Sequence, residues 1–163
     1  MVSPRLSREA GHRRKFMAVV DDTPECDRAM RYAAMRAKNS GGGLVLVYII
    51  SPGDFQHWLG VEEIMRAEAL QEAEATLAKA AERLRQTVGV DPEKCIREGK
   101  ATEEIHAVIE EDRDVAILVL AAGSAKEGPG PLVSSIAGRG AAFPIPVTVV
   151  PDTLTDEEID ALC

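Results

Sequence analysis

Three uninterrupted apolar runs, Phe16 to Val20, Leu44 to Ile50 and Val115 to Ala122, punctuate the chain. Each is short for a free-standing helix and too continuously apolar for a strand with one wet face, so each suits a strand covered on both sides of a parallel sheet. Between them the periodicity changes. Cys26, Ala29, Met30, Ala33 and Ala37 recur at three- and four-residue spacing, which predicts a helix with a narrow small-residue face. Thr23 is its candidate cap, Pro24 its first residue, and Asn39, Ser40 and Gly41 to Gly43 its end. Val61 to Val88 predicts a long helix, with Leu70, Ala73, Leu77, Ala80 and Leu84 inward and the charged residues on a solvated face. Lys94 to Arg97 and Val147 to Val150 are shorter candidate strands. The first is polar and the second is bracketed by Pro144, Pro146 and Pro151, so both suit sheet edges. Thr102 is the candidate cap of a helix that turns Ile105, Val108 and Ile109 inward, and Thr155 with Glu158 forms a capping box for a last acidic turn. Strands and helices thus alternate. The expected fold class is α/β, an open five-stranded, mainly parallel sheet with helices on both faces, Rossmann-like in type.

Such a sheet takes ligands at the carboxyl ends of its strands. The Val115 to Ala122 run leads directly into Gly123, Ser124, Gly128 and Gly130, then into adjacent hydroxyls at Ser134 and Ser135 where another helix starts. A glycine-rich loop feeding a helix presents unpaired N–H groups to an anion, so this loop is the candidate site. Pro129 and Pro131 remove two donors from the same segment. After the first strand stand Asp21, Asp22, Thr23 and Pro24, which do not suit an anion unless a cation or sugar hydroxyl intervenes. No G-x-x-x-x-G-K-[ST] motif is present and no nucleophile with its base falls into one site, which argues against an enzyme. The loop Ser51 to Gly60 holds Phe55, His57 and Trp58; it reads as a plug over the core edge or as a lid on a ligand.

The chain has 163 residues, a size for one domain of about 15–151 between a flexible basic tail (1–14) and an acidic appendage (152–163). A net charge of -8 argues against a nucleic-acid binder. Cys26, Cys95 and Cys163 are too far apart for a zinc motif and read as free thiols, so the expected address is the cytoplasm. No apolar run approaches the roughly 20 residues that span a bilayer.

Over nearly the whole of Phe16 to Pro151 the residues resemble the universal stress proteins. The likeness lies in the first strand ending at Asp21, in LVLVYI, in IREGKATEEI, in ILVLAAGS and in the closing PIPVTVVP. The resemblance implies a regulatory domain without clear enzymatic activity, related in fold to the adenine-nucleotide alpha hydrolases, dimerising through its last strand, Val147 to Val150. It also implies binding of ATP, with magnesium, or of a related nucleotide. By that resemblance Asp21 lies by the ribose or base, Ile49 touches adenine, and Ser134 and Ser135 face phosphate. The family's glycine motif falls on Ala121, Ser124, Ser134 and Ser135, so its spacing persists while its glycines do not. Gly123, Gly128 and Gly130 are shifted substitutes that could rebuild the cradle. A dimeric interaction protein that has lost the nucleotide is the alternative; an ATP-splitting enzyme and a flavin carrier are less favoured.

Overall fold

In the computed structural model β1 (Lys15–Val20) sends Phe16, Ala18 and Val20 into one core and Met17 and Val19 into another. That two-residue alternation is the mark of a strand covered on both faces. Residues 3–21, 23–51, 61–123, 130–137 and 143–163 are described. After β1 come α1 (Cys26–Ser40), β2 (Gly43–Ile50), α2 (Glu62–Thr87), β3 (Glu93–Glu98), α3 (Ala101–Glu111), β4 (Val115–Ala122), α4 (Pro131–Ala137), β5 (Val147–Pro151) and α5 (Asp156–Leu162). The sheet order is β3-β2-β1-β4-β5 and all four pairings are parallel. The expected fold class is therefore the one observed, and the two short strands do take the edges.

One core joins α1, Leu77 and Leu84 of α2 and Ile159 of α5 to Phe16, Leu44, Leu46 and Val119. The other joins Ile105, Val108 and Ile109 of α3 and Val133 and Ile136 of α4 to Met17, Val45, Val47 and Leu118. The helices thus cover both faces, which is what the apolar runs require. The glycines after α1 have distinct tasks. Gly41 adopts φ 68 to close the helix, and a Cβ on Gly42 would lie 2.4 Å from the Arg14 carbonyl oxygen. Only glycine lets the chain pass so near the entry of β1.

Several sequence expectations need correction. Thr23 does not cap α1 and Pro24 is not its first residue: the helix begins at Cys26, after Glu25, without a side-chain cap. The Thr23 amide and hydroxyl both donate to Asp21 Oδ1, the amide at 2.8 Å, and the competing local turn leaves nothing for the helix. Thr102 lies inside the first turn of α3, which follows Lys100 and has no side-chain cap. In α2 the buried stripe is Ala73, Leu77, Ala81 and Leu84, while Leu70 is exposed. The capping box of Thr155 and Glu158 is present on α5.

Residues 3–14 lie against the domain. Arg5 Nη1 donates to the carbonyls of Ile109 at 2.6 Å and Val115 at 3.2 Å, the Leu6 amide to Arg113 O at 3.0 Å, and Arg113 Nε to Pro4 O at 2.9 Å. His12 Nδ1 lies 2.8 Å from Asp114 Oδ1. The composition shows a basic segment and hides this attachment, because its partners are mostly backbone carbonyls that leave no trace in sequence.

Candidate functional site

The strand order reverses between β1 and β4, so the crossovers leave β1 in opposite directions and a crevice opens at the carboxyl ends of these strands. Asp21, the first residue beyond β1, stands at that point with its side chain exposed. Three cavities meet at it. One, of about 530 Å³, is a groove toward α1 and the middle of α2 that includes Thr23, Met30, Lys79 and Arg83. Of the other two, the wider, of about 410 Å³, is lined by Val20, Asp21, Tyr48, Ile49, Ile50 and Ser51 from the ends of β1 and β2 and by Met65, Glu68, Ala69 and Glu72 of α2. The narrower, of about 120 Å³, lies between β1 and β4 and includes Val19, Asp21, Thr23, Glu25, Cys26, Ala121 and Gly130.

The parallel register places these groups. Val20 of β1 pairs with Tyr48 of β2, so Ile49 and Ser51 extend beyond the end of β1 and form a step beside Asp21. Asp21 is held by its two bonds from Thr23, leaving its second carboxylate oxygen available as an acceptor. The Cys26 thiol donates to the Asp21 carbonyl oxygen at 3.5 Å, and burial pushes its pKa up to about 11. A thiol so protonated is a poor nucleophile and serves here as packing.

Asp21, Thr23, Ile49, Ala121 and Gly130 are thus brought together around the crevice. Gly123 follows directly on β4 and is half-buried, and Gly130 takes φ 105 just before α4. Ser134 and Ser135 are exposed on α4, outside the described lining of all three cavities. The Ser134 amide donates to Gly130 O at 3.0 Å, so it is spent within the helix start. Asp22, Ser124 and Gly128 lie outside the described residues, as do Pro129 and the loop with Phe55, His57 and Trp58.

Sequence reasoning missed the contribution of α2. Met65, Glu68, Ala69 and Glu72 share one helical face, at spacings of three and four residues. Its signal was present in Met65 and Ala69, which extend the apolar stripe upstream by one turn each, but the surrounding glutamates make the segment read as solvated. Among the described residues no group of histidine, cysteine and carboxylate side chains is placed to hold a metal ion, and no helix is long and apolar enough to cross a membrane.

Solved structures share the fold. Universal stress protein UspA from Lactobacillus plantarum superposes with a TM-score of 0.68 at 17% identity, covering 84% of this chain and 97% of that one. A universal stress protein from Archaeoglobus fulgidus, solved in complex with dAMP, gives 0.58 at 19% identity over 84% of this chain and 97% of that one. A universal stress protein solved in complex with cAMP gives 0.63 at 17% identity over 86% and 98%. No curated protein sequence matches the chain. The family model described as "Universal stress protein family" matches residues 12–151, from the last residues before β1 to the end of β5, and the chain belongs to that family.

Proposed function

We propose that this chain is a non-enzymatic regulatory domain that binds an adenine nucleotide, ATP with magnesium or a related one, at the carboxyl end of its sheet. The observation that carries the reading is the set of cavities that meet at Asp21 beside the strand-order reversal, where open α/β sheets take ligands. The dAMP and cAMP named for two structural neighbours supply the ligand class. In this reading the base lies against Ile49, Asp21 accepts from a ribose hydroxyl or a base amino group, and phosphate lies on the side of Gly123, Gly130, Ser134 and Ser135. The output is a homodimer surface read by other proteins in the cytoplasm. β5 supports such a surface as an edge strand whose Val149 is 42% exposed.

Calorimetry and thermal denaturation with ATP and magnesium test this. Ligand at 100 times its Kd stabilises the native state by about 2.7 kcal/mol, a rise in Tm of roughly 5–10 °C for a domain of this size. Ala69→Phe fills the wider cavity from α2 and should abolish the rise without altering the circular dichroism. Absence of heat and of any Tm rise at millimolar nucleotide would refute the reading. It would favour a dimeric interaction protein without ligand, which the exposed Ser134 and Ser135 and the spent Ser134 amide support. A chain strictly monomeric at micromolar concentration would refute the dimer in turn.

A further inference from the structure

We propose that the outer face of α1 is a docking site for an acidic amphipathic helix of a partner protein, and that α5 is its built-in occupant, which such a helix displaces. The site lies apart from the crevice and does not rest on the nucleotide reading. At helical spacing α1 has two opposite faces. Ala29, Met30, Ala33, Ala34 and Ala37 are buried in the core. Arg28, Arg31, Tyr32 and Met35 recur at i, i+3, i+4 and i+7 on the other side, where a helix on the surface of a domain ordinarily meets water. None of the four is exposed, because α5 lies along them.

The face that α5 presents has the same spacing: Asp156, Ile159, Asp160 and Cys163. Ile159 is fully buried. Cys163 packs half-buried on the same core as Tyr32 and Met35, and its thiol donates to the Tyr32 carbonyl oxygen at 3.6 Å. Arg28 Nη2 bonds Asp156 Oδ1 at 2.7 Å. Arg31 clasps Asp160, with Nε donating to Oδ1 at 3.0 Å and Nη2 to Oδ2 at 2.8 Å. An apolar anchor beside two carboxylates one turn apart, met by two guanidiniums one turn apart, is a way of recognising an acidic helix in a groove.

The hold is thin. α5 lies beyond the segment that the family model matches, and in its seven residues only Ile159 is buried. A helix of that length does not persist alone, so undocking melts it and recovers the conformational entropy of the chain from Asp152 onward. When α5 leaves, Asp27 keeps Arg28 paired at 2.6 Å. Among the described residues every ion pair of Arg31 goes to α5. The open face thus offers cationic groups beside Tyr32 and Met35, and their charge selects a carboxylate-bearing helix over a basic one. Tethered at high local concentration, α5 competes with the partner, whose apparent affinity falls with the fraction of chains that are open.

The probe is a labelled synthetic peptide with the sequence of residues 152–163, titrated by fluorescence anisotropy into the full chain. Full-length Ile159→Glu, whose own α5 cannot dock, should bind it at least about tenfold more tightly than the wild type. In that background Arg31→Glu should weaken the peptide about tenfold, and a peptide with Asp160→Lys should recover part of the loss. Equal affinity for wild type and Ile159→Glu overturns the proposal, as does no binding by an Ile159→Glu chain that keeps the wild-type circular dichroism. Should Ile159→Glu not fold, hydrogen exchange on the wild type decides at the Ile159 amide, which donates to Thr155 O at 3.0 Å. Exchange there at least about tenfold faster than in β1 and β4 supports the proposal, and exchange only with global unfolding overturns it. A concentration-dependent dimer of the wild type that a folded Ile159→Glu chain lacks would make the occupant the α5 of a second copy and overturn the partner reading.

Discussion

The guanidinium of Arg5 closes the end of α3 from outside the segment that the family model matches, and Arg5→Ala should lower stability by about 1–2 kcal/mol. Its Nη1 donates to the carbonyl oxygens of Ile109 at 2.6 Å, Val115 at 3.2 Å and Asp112 at 3.5 Å. Its Nε and Nη2 donate to Ser3 O and fold the segment around it. The last turn of α3 has no basic residue of its own, so Arg5 supplies the cation that a helix C-terminus favours. A hydrogen bond to a charged group contributes about 1.5–3 kcal/mol when well buried. Arg5 is only half-buried and water can reach the released carbonyls, hence the lower figure. For a domain of this size the loss is a Tm lower by roughly 3–6 °C. Thermal denaturation followed by circular dichroism, with urea unfolding as a check, measures it. Arg5→Lys should recover part of the loss, because it keeps the charge and loses the fork. A Tm for Arg5→Ala within 1 °C of wild type would refute the argument and leave residues 3–14 as a segment that touches the domain without stabilising it.

Two further outcomes follow from the charges and thiols. The Asp156 carboxyl is held below the usual carboxylate range, chiefly by its hydrogen bond from Arg28. A depressed folded pKa stabilises above the ordinary value and loses that contribution as pH falls through it. The stability difference between wild type and Asp156→Asn, measured by urea unfolding, should therefore be full at pH 5 and above and shrink below about pH 4; a difference constant down to pH 2 would contradict this. Cys26, with its thiol pushed up to about 11 by burial, should resist alkylation at pH 8 in the native state and react on unfolding. Mass spectrometry of iodoacetamide-treated chain reads this, and rapid native labelling at Cys26 would refute it.

How much of this was legible follows from what a pattern can carry. The sheet was legible because strands buried on both faces must be apolar throughout, and Phe16 to Val20, Leu44 to Ile50 and Val115 to Ala122 have no other economical explanation. The edge strands were legible from polarity and proline. The start caps of α1 and α3 were not, although the capping box of α5 was: Asp21, Asp22, Thr23, Pro24 and Glu25 offer several mutually exclusive turns, and Thr23 bonds Asp21 at the expense of α1. At the crevice, Asp21 and Ile49 were found through resemblance, whereas Glu68 and Glu72 were lost among the other acidic residues of α2. Periodicity assigns a helix one inward face, and α2 has two in succession, one on the core and one on the cavity.

That division of α2 bears on how the site responds to a ligand. From Glu62 to Glu72 no side chain of the helix is buried, and Ile64 and Leu70 are 59% and 43% exposed. From Ala73 onward Ala73, Leu77, Ala81 and Leu84 fix it to the rest of the domain. Asp27 to Arg83 at 2.9 Å and Arg28 to Asp156 at 2.7 Å tie α2 to α1 and α1 to α5, but such surface pairs contribute little beside burial. The first three turns of α2 rest on the domain through the half-buried Met65 and Ala69, which pack with Ile50 and Ala73, and through Arg66 to Glu98 at 3.0 Å. That is a lighter hold than the buried stripe beyond, and an isolated stretch of that length is marginal in water. These turns are also the cavity wall. A base seated against Met65 and Ala69 would add to their partial packing against Ile50 and Ala73, so occupancy should protect the amides of Glu62 to Glu72 from hydrogen exchange more than those of Ala73 to Thr87, whose stripe is already buried.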